Sequence, residues 1–313
     1  MRPQESLPCR RALLSSMWFA RQVVCITVSL VGLFAAVACF AESTAGPYVQ
    51  IHAPMAMPGL DRQRTLRIYV PPSYQTSQRR YPVLYMHDGQ NLFDAATSYA
   101  GEWGVDESLD ALARTHGLEV IVVGIDHGQD KRIGELSPWA HPKYGPAEGP
   151  QYMDFVVQTV KPWVDEHYRT LSDRRNTAVM GSSLGGLLSH YAVHQYPHIF
   201  GMAGLFSPSY WFSEEVYRMT RELPVPLDTR MYFLVGGKEG AGTVANVHRM
   251  AALESSGGHP TANLRTVVSP LGEHNEAFWR AGFSDAVLWL FADPPSTSPS
   301  PKLRPVSGKT PLQ

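Results

Sequence analysis

From residue 46 onward, short apolar runs alternate with longer stretches whose apolar residues recur on one helical face. The short runs predict strands over 48–53, 65–70, 83–87, 120–125, 178–180, 201–206, 231–235 and 264–268. The longer ones predict helices over 106–116, 151–168, 184–196, 214–221, 243–255 and 275–291. Early strands followed by strict strand–helix alternation predict an α/β fold, a mostly parallel sheet with helices on both faces. A single domain over 46–292 accounts for the pattern. Residues 293–313 are rich in Pro and Ser and poor in apolar residues, which reads as a disordered tail. Residues 126–149 show neither period. Trp139 and Tyr144 in this stretch favour a loop packed over one edge of the sheet, with a plain surface excursion as the alternative.

The first 41 residues have a different character. Arg10, Arg11 and Arg21 precede an apolar run over 23–40 that ends in Ala35-Ala36-Val37-Ala38-Cys39. This is the layout of a cleaved export signal, or of a lipoprotein signal in which Cys39 is lipidated and becomes the new N-terminus. An uncleaved anchor is the third reading, since a span needs about 20 apolar residues. The expected location is therefore periplasmic, secreted or lipid-anchored. All three cysteines (Cys9, Cys25, Cys39) lie in this segment. The body of the chain thus has no means of using a disulfide, a thiolate nucleophile or a thiolate metal site. The 27 Lys+Arg against 28 Asp+Glu give a formal net charge of -1, which gives no support to nucleic-acid binding.

The chemistry concentrates at Gly181-Ser182-Ser183-Leu184-Gly185-Gly186, between a predicted strand and a predicted helix. Gly-x-Ser-x-Gly in that setting is the spacing of a nucleophile elbow, where a tight turn lifts the serine oxygen out of the sheet. A serine hydroxyl needs a base, and in α/β-hydrolases the partners follow in the order serine, acid, histidine. Glu239 follows the strand at 231–235, and His274 follows the strand at 264–268. Loops at the carboxyl ends of parallel strands share one edge of a sheet, so Ser183, Glu239 and His274 are expected to meet there. A serine–histidine dyad without a firm acid is the alternative. The oxyanion hole needs two amides, expected from Leu184 and from Gln90, where Gly89 lets the chain turn after the strand at 83–87. His190, His194 and His198 repeat at helical spacing. Pro197 interrupts them and no paired carboxylate accompanies them, so they read as surface or packing residues.

Several ordered blocks then resemble the bacterial putative-esterase family of α/β-hydrolases, the enterochelin-esterase-like and feruloyl-esterase-like group. They include residues 81–94 (Tyr81-Pro82 to Phe93-Asp94), Glu135-Leu136-Ser137-Pro138, residues 161–170, the elbow, residues 196–201 and Phe206-Ser207-Pro208-Ser209-Tyr210-Trp211. The resemblance covers most of 46–292. It implies a single α/β-hydrolase domain and an esterase with Ser183 as nucleophile, His274 as base and the Gln90 and Leu184 amides as oxyanion hole. The acid is less uniform in such proteins, often aspartate, so the glutamate here leaves the third member open. By analogy Trp103 and Trp211 are expected as pocket walls. The expected activity is hydrolysis of a carboxylic ester through an acyl-enzyme, without cofactor or metal. Siderophore, carbohydrate-linked and short acyl esters are the candidate substrates. The competing readings are an acyltransferase on the same scaffold and an exported binding module that has lost activity. Lys131, Arg132 and Lys143 would suit an anionic substrate, although solvated surface charge is the plainer reading. A membrane partner is expected only through a lipid at Cys39.

Overall fold

The computed structural model describes residues 43–291. The expected leader (1–41) and tail (293–313) lie outside the described residues. Among the described residues, no helix is long and apolar enough to cross a membrane.

Eight strands form one sheet: β1 (Val49–Met57), β2 (Arg62–Tyr69), β3 (Val83–His87), β4 (Ile121–Ile125), β5 (Thr177–Ser182), β6 (Met202–Phe206), β7 (Arg230–Gly236) and β8 (Leu264–Ser269). Their order is β1-β2-β4-β3-β5-β6-β7-β8. β2 pairs antiparallel with β1 and β4, and every pairing from β4 to β8 is parallel. This matches the expected mostly parallel sheet. β1 runs past its expected end at residue 53 because a register shift between His52 and Met55 keeps it paired.

β3, β4, β5 and β6 are buried at every position, as strands covered on both faces must be. Alternate residues serve opposite faces. Val83 and Tyr85 join one core with Phe155, Leu187, Val216 and Val247. Leu84 and Met86 join the other with Leu109, Phe283 and Val287. The helices that cover these faces are α1 (Val105–His116), α2 (Arg132–Glu135), α3 (Gly149–Phe155), α4 (Lys161–His167), α5 (Leu184–Gln195), α6 (Glu215–Glu222), α7 (Ala241–Ser256) and α8 (Glu276–Phe291).

The helix expected over 151–168 is broken into α3, a π-helical turn at Val156–Val160, and α4. Pro162 supplies the reason. It has no amide hydrogen for the carbonyl of residue 158, and its ring would press on that carbonyl in a regular α-helix. A wider turn relieves both problems.

The 126–149 stretch packs down as expected. Trp139 meets Tyr191 edge-on at 5.8 Å, and Tyr144 stacks on Phe212 at 5.8 Å. Its anchor is Glu135, only 1% exposed, which accepts hydrogen bonds from Arg62 (2.8 Å) and Arg64 of β2. Arg62 also holds Glu148 at 2.6 and 2.8 Å. Removing one member of a buried ion pair leaves a charge without compensation, at a cost of about 3–5 kcal/mol. Glu135→Ala is expected to lower the unfolding free energy by about 3 kcal/mol or more. A fall in the urea midpoint with an unchanged m-value would register this; an unmoved midpoint would contradict it.

Candidate active site

β5 delivers the chain to Ser183, which caps α5 with φ 58° and ψ -119°. Positive φ is costly for a residue with a Cβ and persists only where the surroundings impose it. Here the Ser183 amide donates to the Phe206 carbonyl at 2.9 Å, and its own carbonyl accepts from the Ser209 amide at 3.0 Å. The neighbouring glycine is required by space. A Cβ on Gly181 would lie 2.8 Å from the Gly185 carbonyl carbon. The Ser183 hydroxyl sits 3.2 Å from Ser209 Oγ.

The loops after β7 and β8 are held together by the Lys238 amide donating to the Gly272 carbonyl at 3.0 Å. That contact sets Glu239 beside His274, with Oε2 2.7 Å from Nδ1. The other carboxylate oxygen accepts from Ser207 Oγ at 2.6 Å and from the Gly236 amide at 2.7 Å. Ser207 Oγ in turn accepts from the indole of Trp279 at 2.9 Å, and Trp279 meets the His274 ring edge-on at 5.0 Å. Burial pushes the Glu239 carboxyl up, but hydrogen bonds from His274, Ser207 and Gly236 more than offset it and leave it below the ordinary value of 4.5. An ionised carboxylate on Nδ1 fixes the hydrogen there and leaves Nε2 free to accept a proton.

Ser183 and His274 line one cavity of about 510 Å³, together with Asp88, Tyr99, Arg132 and Trp279. Arg132 is no solvated surface charge. It grips Asp88 through two hydrogen bonds of 2.6 and 2.8 Å. Burial raises the Asp88 carboxyl, and Arg132 more than reverses the effect. Burial leaves the Glu276 carboxyl, on the same cavity wall, raised. Lys131 pairs with Asp130, and Lys143 lies over the Tyr144 ring.

Gln90 lies in a short 3-10 turn over Gly89–Asn91 and Leu184 begins α5, so both are in first turns whose leading amides lack an acceptor within the turn. The positive φ of the Gln90 turn falls on Asp88 (58°), not on Gly89. Gly89 is needed for space instead, since a Cβ there would lie 2.7 Å from the Gly124 carbonyl carbon.

Trp103 and Trp211 are not among the residues that line this cavity. Trp103 is 3% exposed, stacked on Phe206 at 5.3 Å and packed on Trp279 at 5.8 Å. The wall residue is Trp279 in front of it. Trp211 is 55% exposed and rests against Tyr144 and Phe212. Ser207, Ser209 and Trp279 received no role from the sequence, although Ser207 and Ser209 lie within a block that carried the resemblance. His190 and His194 are buried rather than on the surface, and Glu254 from α7 accompanies both at 2.9 Å. That carboxylate was missed because it lies 64 residues from His190.

With this geometry in view, comparison with known proteins is decisive for the family: the sequence profile described as putative esterase matches residues 58–290. The chain belongs to the putative esterase family. It is 27% identical over 184 residues to the uncharacterized protein YbbA of Bacillus subtilis, covering 56% of this chain and 69% of that one. It is 24% identical over 161 residues to an endo-1,4-beta-xylanase/feruloyl esterase of Xylanibacter ruminicola, covering 50% of this chain but only 21% of that longer protein. The fold resembles the enterobactin esterase of Shigella flexneri, with a TM-score of 0.64 at 20% identity over 79% of this chain and 60% of that one. The family and its α/β-hydrolase fold identify the protein as an esterase.

The Glu239 environment predicts a pH signature. A carboxyl held below its ordinary value contributes stability that is full above about pH 4.5 and lost as pH falls through the lower folded value. Glu239→Gln is expected to melt below the wild type at pH 7, with the gap narrowing as pH falls below about 4.5. Thermal melts of both proteins across that range check it; a gap constant with pH would show that the charge of Glu239 contributes nothing.

Proposed function

We propose that this esterase is a serine enzyme working through an acyl-enzyme, with Ser183 as nucleophile, His274 as base and Glu239 as the group that orients the imidazole. The observation that carries the reading is the 2.7 Å contact between Glu239 and His274 Nδ1, in a cavity that His274 shares with a positive-φ serine. Ser183 Oγ exchanges Ser209 for His274 Nε2 and attacks the ester carbonyl as that nitrogen takes its proton. The buried carboxylate stabilises the imidazolium. The Leu184 and Gln90 amides receive the negative charge that develops on the carbonyl oxygen. Collapse expels the alcohol, protonated by His274, and water repeats the sequence in reverse roles to free the acid.

A cavity of about 510 Å³ has the size of a small-molecule site. The names of the feruloyl and enterobactin esterases support a phenolic or siderophore-type ester, alongside carbohydrate-linked and short acyl esters. The 1–41 segment supports export, soluble or lipidated at Cys39. Mass spectrometry of the mature N-terminus distinguishes these fates, and an unprocessed Met1 would overturn export by cleavage.

Ser183→Ala is expected to lose turnover of p-nitrophenyl acetate by about 10⁴-fold or more, together with labelling by an organophosphonate. Glu239→Gln, which removes the orienting charge, is expected to lower kcat by about 10³–10⁴-fold. Undiminished turnover by Ser183→Ala would refute the serine mechanism, and a dominant transfer product with added alcohols or sugars would make the protein an acyltransferase.

A further inference from the structure

Away from the catalytic cavity, His190 and His194, one turn apart on α5, meet Glu254 of α7. All three are buried, at 0%, 4% and 5% exposure. His190 Nε2, His194 Nε2 and Glu254 Oε1 form a triangle with sides of 3.0, 2.9 and 2.9 Å. The remaining ring nitrogens are held from behind. His194 Nδ1 lies 2.7 Å from the Leu223 carbonyl, which only accepts, so Nδ1 must carry the hydrogen. His190 Nδ1 lies 2.7 Å from the Tyr210 hydroxyl.

With Glu254 ionised, protons alone do not satisfy this triangle. With one hydrogen inside it, at least one side pairs two lone pairs. With hydrogens on both Nε2 atoms, the carboxylate is satisfied but two N–H groups oppose each other at 3.0 Å. Each of these arrangements, with Glu254 ionised, leaves a repulsive side where burial makes unmatched polarity costly. A cation at the centre satisfies all three sides at once. Two imidazoles and a carboxylate are a donor set suited to zinc, whose bonds of about 2.0–2.1 Å would set tetrahedral ligands about 3.3 Å apart. The triangle needs only a few tenths of an ångström of expansion. The backing groups also fit, since an Nδ1–H held by a carbonyl leaves Nε2 as the lone-pair donor, and the Tyr210 oxygen accepts equally well from His190. A cavity of about 350 Å³ has Glu254, Thr220, Leu253 and His259 on its wall.

We propose that His190, His194 and Glu254 form a structural zinc site clamping α5 to α7, separate from Ser183 and His274. Through Tyr210 the clamp reaches the segment after β6 that carries Ser207 and Ser209.

The full-length protein, equilibrated with zinc and then freed of unbound metal, is expected to retain about one zinc per chain by plasma mass spectrometry. Chelation by EDTA should lower the melting temperature by about 5 °C or more, reversed by zinc. Cobalt substitution should give the intense visible bands of an ion held by three protein ligands and completed to four by water. Glu254→Gln keeps the shape of the side chain, so it should fold yet lose zinc retention and the EDTA response. Tyr210→Phe should weaken zinc affinity by about 10–100-fold. A wild-type protein that takes up no zinc and melts identically with zinc or EDTA would overturn the site, as would full retention by Glu254→Gln. Neither result bears on the esterase mechanism, because p-nitrophenyl acetate turnover is read separately.

Discussion

The hydrogen bond from the Ser183 amide to the Phe206 carbonyl ties the elbow to the end of β6, and the active-site geometry follows from it. One residue later Ser207, itself at positive φ (43°), anchors its amide on the Leu234 carbonyl of β7 and turns its hydroxyl to Glu239. Two residues further, Ser209 returns its amide to Ser183. The carboxyl end of β6 is therefore a hub that fixes Ser183 and Glu239 relative to each other, while His274 is brought in by the neighbouring β8 loop. Strained backbone at Ser183 and Ser207 survives because each is pinned by contacts from an adjacent strand.

Electrostatics in the cavity are arranged by giving each buried carboxylate its own answer to desolvation. Asp88 has the forked guanidinium of Arg132. Glu239 has two neutral donors besides the imidazole. Neutral donors leave the charge of Glu239 available to the His274 ring, since a permanent cation on Glu239 would already consume it. Glu276 has less support, and burial accordingly leaves its carboxyl raised.

What could be read from sequence follows from range. The strands were legible because buried parallel strands are continuous apolar runs, and the meeting of Glu239 with His274 because each follows a strand at the same sheet edge. Gly89 was expected to let the chain turn, but the turn takes its positive φ at Asp88 and Gly89 is needed for space, a distinction composition does not make. Trp103 and Trp279 illustrate the same limit, because which indole faces a cavity depends on the angle of α8 against β6. The Glu254 partner of His190 was invisible because no local period links α5 to α7. The π turn at Val156–Val160 had a local signal in Pro162, but a helix-period pattern continues through it.

α5 brings these threads together. It carries almost no amphipathic contrast, with every residue from Leu184 through His194 buried except the partly buried Tyr191. A helix enclosed in this way has no water for its polar side chains, so each must find an internal partner. Ser189 takes the Gly185 carbonyl at 2.8 Å, and the two histidines take Glu254, Tyr210 and the Leu223 carbonyl. Enclosure also fixes the N-terminus of the helix, where Ser183 is held at positive φ. The polar cluster two turns down α5 and the serine at its head are thus two consequences of burying nearly the whole of one helix.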